Sequence, residues 1–162
     1  MNAEKSKIFR LILIVLIILT LIFIAVQSLL PPEVSTAESD AVGEMIEVVI
    51  PSDTPVGEQV QQNVRNIGHF AEFAILGAEI AIYLYFFERK LAYIVLAPVL
   101  SPVVALLDET LQFLSERAPE IRDVWTDVFG FVSFYALLLG ALFTYNHLRK
   151  RMKNKDGKNN NG

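Results

Sequence analysis

The chain has no cysteine among its 162 residues. That excludes disulfides, thiolate zinc sites and a cysteine nucleophile. It also lacks a G-x-S-x-G elbow, a P-loop and a dinucleotide fingerprint, so no cofactor is implied. Basic residues are missing from long stretches: residues 31–62 hold no Lys or Arg but seven acids. Most of the Lys and Arg sit near the two ends, which argues against a nucleic-acid surface. What the chain does have is apolar: 53% of its residues are hydrophobic, and the net charge is only −4.

Crossing a bilayer core takes about 20 mostly apolar residues in a helix. Four stretches qualify, at about 8–30, 67–87, 91–113 and 124–147. A soluble protein of this size has too little polar surface to cover four such helices. The expectation is an all-α integral membrane bundle of four transmembrane helices. The first stretch follows Lys5, Lys7 and Arg10, as a signal peptide would. It is longer than a signal h-region and no A-x-A site follows, so it reads as a retained signal-anchor helix.

Orientation follows from Lys and Arg. Residues 1–7 with Arg10, the turn Arg89-Lys90 and the basic tail 149–162 together carry 11 of them. The opposite side carries three: Arg65, Arg117 and Arg122. Both termini of a multi-pass cell-membrane protein are therefore expected in the cytoplasm, with residues 31–62 outside and the tail disordered near anionic headgroups. In the outer loop Val42, Met45, Ile46 and Val49 fall at i, i+3, i+4 and i+7, the pattern of an interfacial helix. The alternative is a solvated loop. Thr54-Pro55 reads as a helix start, and the helix is expected to run on unbroken through Arg65 and His69.

The polar residues of the last three spans fall at one depth. Arg65, His69 and Glu72 lie at i, i+4 and i+7 on one helix face. Asp108 and Gln112 are four apart with Glu109 beside them, and Asp123 and Asp127 are four apart. Arg117 and Arg122 lie in or beside the connecting loop. Ionisable groups inside a bilayer usually face the bundle interior or a watery cavity. One reading is an ion-pair lattice in which the three arginines neutralise three acids. The other is a functional pocket, because seven acids outnumber those three bases. A metal centre is not expected: the region has one histidine, no H-E-x-x-H spacing, and arginines to compete for the carboxylates.

Other features read as structural. Ala71, Ala74, Ala78 and Ala81 form a small-residue stripe for helix packing. Pro98 and Pro102 remove amide donors and should kink the third span. Trp125 reads as an interfacial anchor. Glu79, about 15 Å deeper than His69 at 1.5 Å per residue, is expected to bond to Ser101 or to a carbonyl freed by Pro98 or Pro102. A proton relay is the alternative for Glu79.

Three motifs carry a resemblance. They are Val64-Arg65 with Gly68-His69-Phe70-Ala71-Glu72-Phe73; Asp108-Glu109-Thr110-Leu111-Gln112-Phe113 followed by Arg117; and Asp123-Val124-Trp125-Thr126-Asp127-Val128-Phe129-Gly130. In this order they resemble the VanZ-like family of bacterial membrane proteins, over roughly residues 5–145. The resemblance implies an envelope protein of a Gram-positive bacterium. The family's namesake accompanies glycopeptide-resistance clusters and gives low-level teicoplanin resistance. No reaction transfers with it. Two positions depart from the pattern: Asn66 where many relatives are basic, and Phe134 where many have glycine.

On this reading, an outward pocket built from Arg65, His69, Glu72, Asp108, Glu109, Gln112, Arg117, Asp123 and Asp127 binds a polar headgroup. Its partners would be membrane lipids and a lipid-linked cell-wall intermediate, with Arg65 and Arg117 on an anionic group. The rivals are an enzyme using His69 and a carboxylate for acid–base chemistry on such a lipid, and a purely structural or partner-docking protein. Neither catalytic residues nor oligomeric state can be read from the sequence. Single cysteines introduced at Ser39 or Ala118 are expected to react with an impermeant thiol reagent on intact cells, and one at Asn154 is not. Labelling at Asn154 alone would reverse the orientation.

Overall fold

A computed structural model describes residues 3–118 and 120–159. They form six helices: α1 (Ala3–Ser28), α2 (Pro32–Glu47), α3 (Pro55–Gln62), α4 (Val64–Phe87), α5 (Leu91–Leu114) and α6 (Ile121–Asn159). No strand occurs among the described residues. Four helices are long and apolar enough to span a membrane: Glu4–Ser28, Val64–Phe87, Leu91–Leu114 and Ile121–Lys153. Their outer faces carry exposed Leu, Ile, Val and Phe side chains such as Leu11, Leu91, Leu107 and Leu137. Such a surface is covered by lipid rather than water. The fold is thus the expected all-α membrane bundle.

The core lies between α4, α5 and α6, with Ile24 added from α1. Phe73, Leu76, Ala81 and Ala105 are almost fully buried there, with Phe131 stacked on Tyr135 at 5.8 Å. The tightest contact is α4 against α6. A Cβ on Gly77 would lie 2.3 Å from the Phe131 carbonyl oxygen, and one on Gly130 would lie 2.4 Å from that of Phe70. Each helix therefore contributes one glycine to let the other's backbone approach. The alanine stripe does not form one packing face: Ala74 and Ala81 are buried, but Ala71 is exposed. Phe134 sits edge-on to Phe70 at 6.1 Å.

The two prolines of α5 each leave a carbonyl without its amide, and both carbonyls find a donor. Pro98 cannot bond Ile94, whose oxygen instead accepts the Tyr135 hydroxyl of α6 at 2.7 Å. Pro102 cannot bond Pro98, whose oxygen accepts the Ser101 hydroxyl at 2.9 Å. This corrects the expectation for Glu79. Ser101 and the freed carbonyls are already engaged, and Glu79 accepts from Thr20 of α1 at 3.1 Å instead.

Three further expectations are corrected. The helix starting at Thr54 does start there, since the Thr54 hydroxyl accepts from the Gly57 amide at 3.0 Å and Pro55 follows. It does not run on unbroken, however. Asn63 takes φ −120° and ψ 13° and separates α3 from α4. Its side chain donates to the Gln59 carbonyl at 2.8 Å and accepts from Arg122 at 2.8 Å, which secures the bend. The outer-loop helix is longer and earlier than its apolar pattern: α2 starts at Pro32 and stops at Glu47, so Val49 falls beyond it. The basic tail is helical through Asn159 rather than disordered. A helix already nucleated by a membrane span extends at little cost through the good formers Arg149–Lys153, and cations suit its C-terminal end. Residues 1–2 and 160–162 of the expected termini lie outside the described residues.

Tyr135→Phe leaves the Ile94 carbonyl without a donor in a buried place. It is expected to lower stability by about 1 kcal/mol, read as a lower midpoint of unfolding in detergent.

Candidate functional site

The polar groups of α4, α5 and α6 meet at the end of the bundle that carries α2 and α3. Helical spacing places them there: Arg65, His69 and Glu72 climb one face of α4, Asp108 and Gln112 one face of α5, Asp123 and Asp127 one face of α6. Asp108, Gln112, Asp123 and Asp127 are at most 2% exposed. At its centre the His69 Nδ1 lies 3.5 Å from an Asp127 oxygen and 3.8 Å from an Asp108 oxygen. Gln112 links this centre to the first arginine. Its amide nitrogen donates to Asp108 at 2.8 Å, and its carbonyl oxygen accepts from Arg65 at 2.9 Å.

The arginines do not build the lattice of the alternative reading, in which each of the three would neutralise an acid. Arg65 reaches one carboxylate, Asp123, at 3.3 Å. Arg117 donates to the Gln27 carbonyl at 3.2 Å, and Arg122 donates to Asn63. Neither makes an ion pair among the described residues. Arg117 is buried in the loop between α5 and α6, and that burial, together with Arg65 nearby, pushes its pKa down. Arginine keeps its charge regardless, so Arg117 is an incompletely compensated cation.

Glu109 departs from the others. Its carboxylate accepts the Glu120 amide at 2.5 Å and so holds the loop before α6. Like Asp108, Gln112, Asp123 and Asp127, it lines neither of the two cavities beside the cluster, whereas Arg65, His69, Glu72 and Arg117 of the expected pocket do. Asn66 donates to Asn63 at 3.3 Å and stands beside the bend.

Two cavities adjoin the cluster. One, of about 410 Å³, lies between α1, α2 and α4, and is lined by Phe23, Val42, Ile46 and Ile75 on its apolar side and by Arg65, His69, Glu72 and Arg117 on its polar side. The second, of about 360 Å³, is lined by Pro32, Ser35, Thr36, Ser39, Glu116 and Glu120. Arg65, Arg117, Ser35 and Ser39 line both. Val42 and Ile46 of the expected interfacial face thus serve as cavity wall, while Met45 of that face is exposed.

Sequence reasoning missed the contribution of α1. Ser28 is buried, and its hydroxyl bonds to the Ile24 carbonyl at 2.8 Å and to Asp108. Ser115 donates to the Ser28 carbonyl at 2.9 Å. The available signal was Gln27-Ser28, a polar pair closing an apolar run at the depth of the cluster.

Four apolar helices around a buried constellation of acids, one histidine and Arg117, with half-buried Arg65 at its edge, define a multi-pass membrane protein with a polar cluster inside its bundle. The sequence model of the VanZ/LLP1 family matches residues 9–144, and the chain belongs to that family. No curated protein and no solved structure matches it.

Gln112→Leu keeps the volume but removes both links, leaving the Arg65 and Asp108 groups short of partners. The expected cost is about 2–3 kcal/mol, more than that of Tyr135→Phe, in the same unfolding measurement.

Proposed function

We propose that this VanZ-family protein is an envelope protein whose polar end faces outward and binds the anionic headgroup of a membrane-embedded, lipid-linked cell-wall intermediate. Low-level resistance to glycopeptides such as teicoplanin, in a Gram-positive cell, is the physiological consequence we assign to that binding. The observation that carries the reading is that Arg65 and Arg117 line both adjoining cavities. Arg117 offers its charge there with no carboxylate within ion-pair distance among the described residues. The larger cavity joins that charge to an apolar wall of Phe23, Val42, Ile46 and Ile75. Guanidinium next to apolar wall suits an amphiphile with a phosphate head. The outward orientation rests on the distribution of Lys and Arg, 11 against three.

The enzyme reading has one observation in its favour. His69 lines the larger cavity with Asp127 3.5 Å behind it, a histidine–carboxylate pair of the kind used for proton transfer. It requires a bound lipid to leave with a changed headgroup mass.

A charged hydrogen bond contributes about 1.5–3 kcal/mol, so Arg117→Gln is expected to weaken retention of anionic lipid roughly tenfold or more. Arg122→Gln, whose arginine is exposed and bonded to Asn63, should retain it as wild type does. Mass spectrometry of co-purifying lipids, at matched protein abundance, gives the comparison. Equal retention by Arg117→Gln would remove the reading, and a lipid of altered headgroup mass would favour the enzyme.

A further inference from the structure

The centre of the cluster is unbalanced in a way that hydrogen bonding among these side chains does not repair. His69 from α4, Asp108 from α5 and Asp127 from α6 each present one donor atom, and the three atoms lie within 4.8 Å of one another. Asp127 is fully buried, yet neither of its oxygens has a hydrogen-bond donor among the described residues. The His69 Nδ1 is buried and likewise unpartnered. A single N–H on that nitrogen could serve only one carboxylate oxygen. Asp108 differs from Asp127, because Gln112 donates to one of its oxygens and fixes its orientation, while the single Ser28 proton is divided between the other oxygen and the Ile24 carbonyl.

We propose that His69, Asp108 and Asp127 bind a divalent cation of the zinc or manganese class. The geometry is close to what such an ion needs. Ligand bonds of about 2.0–2.2 Å set tetrahedral ligand atoms about 3.3–3.5 Å apart. The His69 nitrogen already lies 3.5 and 3.8 Å from the two carboxylates, so those two separations need closure by only a few tenths of an ångström, and the two carboxylate oxygens, within 4.8 Å of each other, would be drawn together by the ion. Charge also balances: two carboxylates and a neutral imidazole sum to −2, which the ion cancels in a place where net charge is costly. One nitrogen and two carboxylate ligands favour zinc or manganese over calcium or magnesium, which prefer all-oxygen shells. The hydrogen bonds from Ser28 and Gln112 to Asp108 are the outer support that ligating carboxylates require.

The competition that argues against a metal in the sequence is absent at these two acids. The Arg65 carboxylate partner is Asp123, and Arg117 and Arg122 reach a carbonyl and an asparagine. Three protein ligands leave a coordination position open. Of the three ligands His69 lines the 410 Å³ cavity, which is therefore the side from which a further oxygen ligand could approach. The site itself does not depend on what fills that cavity.

The test uses the full chain in detergent, stripped with chelator and titrated with Zn2+ or Mn2+, with metal content measured after gel filtration. Wild type should take up about one ion per chain. His69→Ala and Asp127→Asn should weaken uptake at least tenfold, while Glu79→Gln, whose acid bonds to Thr20 elsewhere on α4, should match wild type. Zinc-edge absorption should show an imidazole ligand in wild type that His69→Ala loses. If a variant fails to accumulate, wild type alone decides, because an ion bound only by the folded state raises the melting temperature with ion concentration. A wild type that takes up no ion, a melting temperature that zinc and manganese do not move, or site variants that bind as tightly as wild type would each overturn the proposal.

Discussion

A carboxylate placed among hydrocarbon tails must find compensation from another helix, because the bilayer offers no water to supply it. That requirement organises one end of this bundle. Asp108, Asp123 and Asp127 are almost wholly buried, on helices whose spans are otherwise mostly apolar. The convergence of α4, α5 and α6 with the end of α1 lets Arg65, His69 and Ser28 reach them, while Gln112 reaches Asp108 within α5. The crossing of α4 and α6, held close by Gly77 and Gly130, sets the geometry of that convergence. The same demand recurs lower in the bundle in a neutral form, where Tyr135 and Ser101 satisfy the carbonyls that two prolines expose.

The compensation is unequal, and the inequality is where function is to be sought. Asp123 has a guanidinium, and Asp108 has two donors. Asp127 has only the nearby His69 nitrogen, and Arg117 has only a carbonyl. A network evolved purely to clamp helix ends would pair the spare acid with the spare base. Here they are kept apart, the acid at the centre of the cluster and the base on the wall of two cavities. Unlike charges held apart in a low-dielectric setting keep their fields uncancelled, which is the basis of both proposals.

Much of this arrangement is written in the sequence at helical spacing. The intervals of four and seven residues in Arg65, His69 and Glu72, and of four in Asp108/Gln112 and Asp123/Asp127, place the right groups on the right faces. Apolar run length gives the four spans for the same reason: hydrocarbon thickness leaves few alternatives. Partner choice is less legible. Nothing local tells Arg65 to take Asp123, or Arg122 to take Asn63, because those pairings depend on crossing distances and rotamers. The role of α1 is hidden for another reason. Three polar residues, Thr20, Gln27 and Ser28, are swamped by the hydropathy around them, although two of their side chains touch acids of other helices. The bend at Asn63 is equally invisible, since asparagine is unremarkable in a polar helix until a tertiary partner such as Arg122 holds it out of helical geometry.

The paired glycines have a mechanical consequence. With backbone against backbone on both sides of the crossing, α4 and α6 have no side-chain cushion along which to slide. The stiff part of the molecule is therefore the part that holds His69 and Asp127. The compliant part is α2, which meets α4 over a small contact and covers the larger cavity with Ser39, Val42 and Ile46. A movement of α2 away from α1 would therefore open the larger cavity and leave the positions of His69 and Asp127 unchanged.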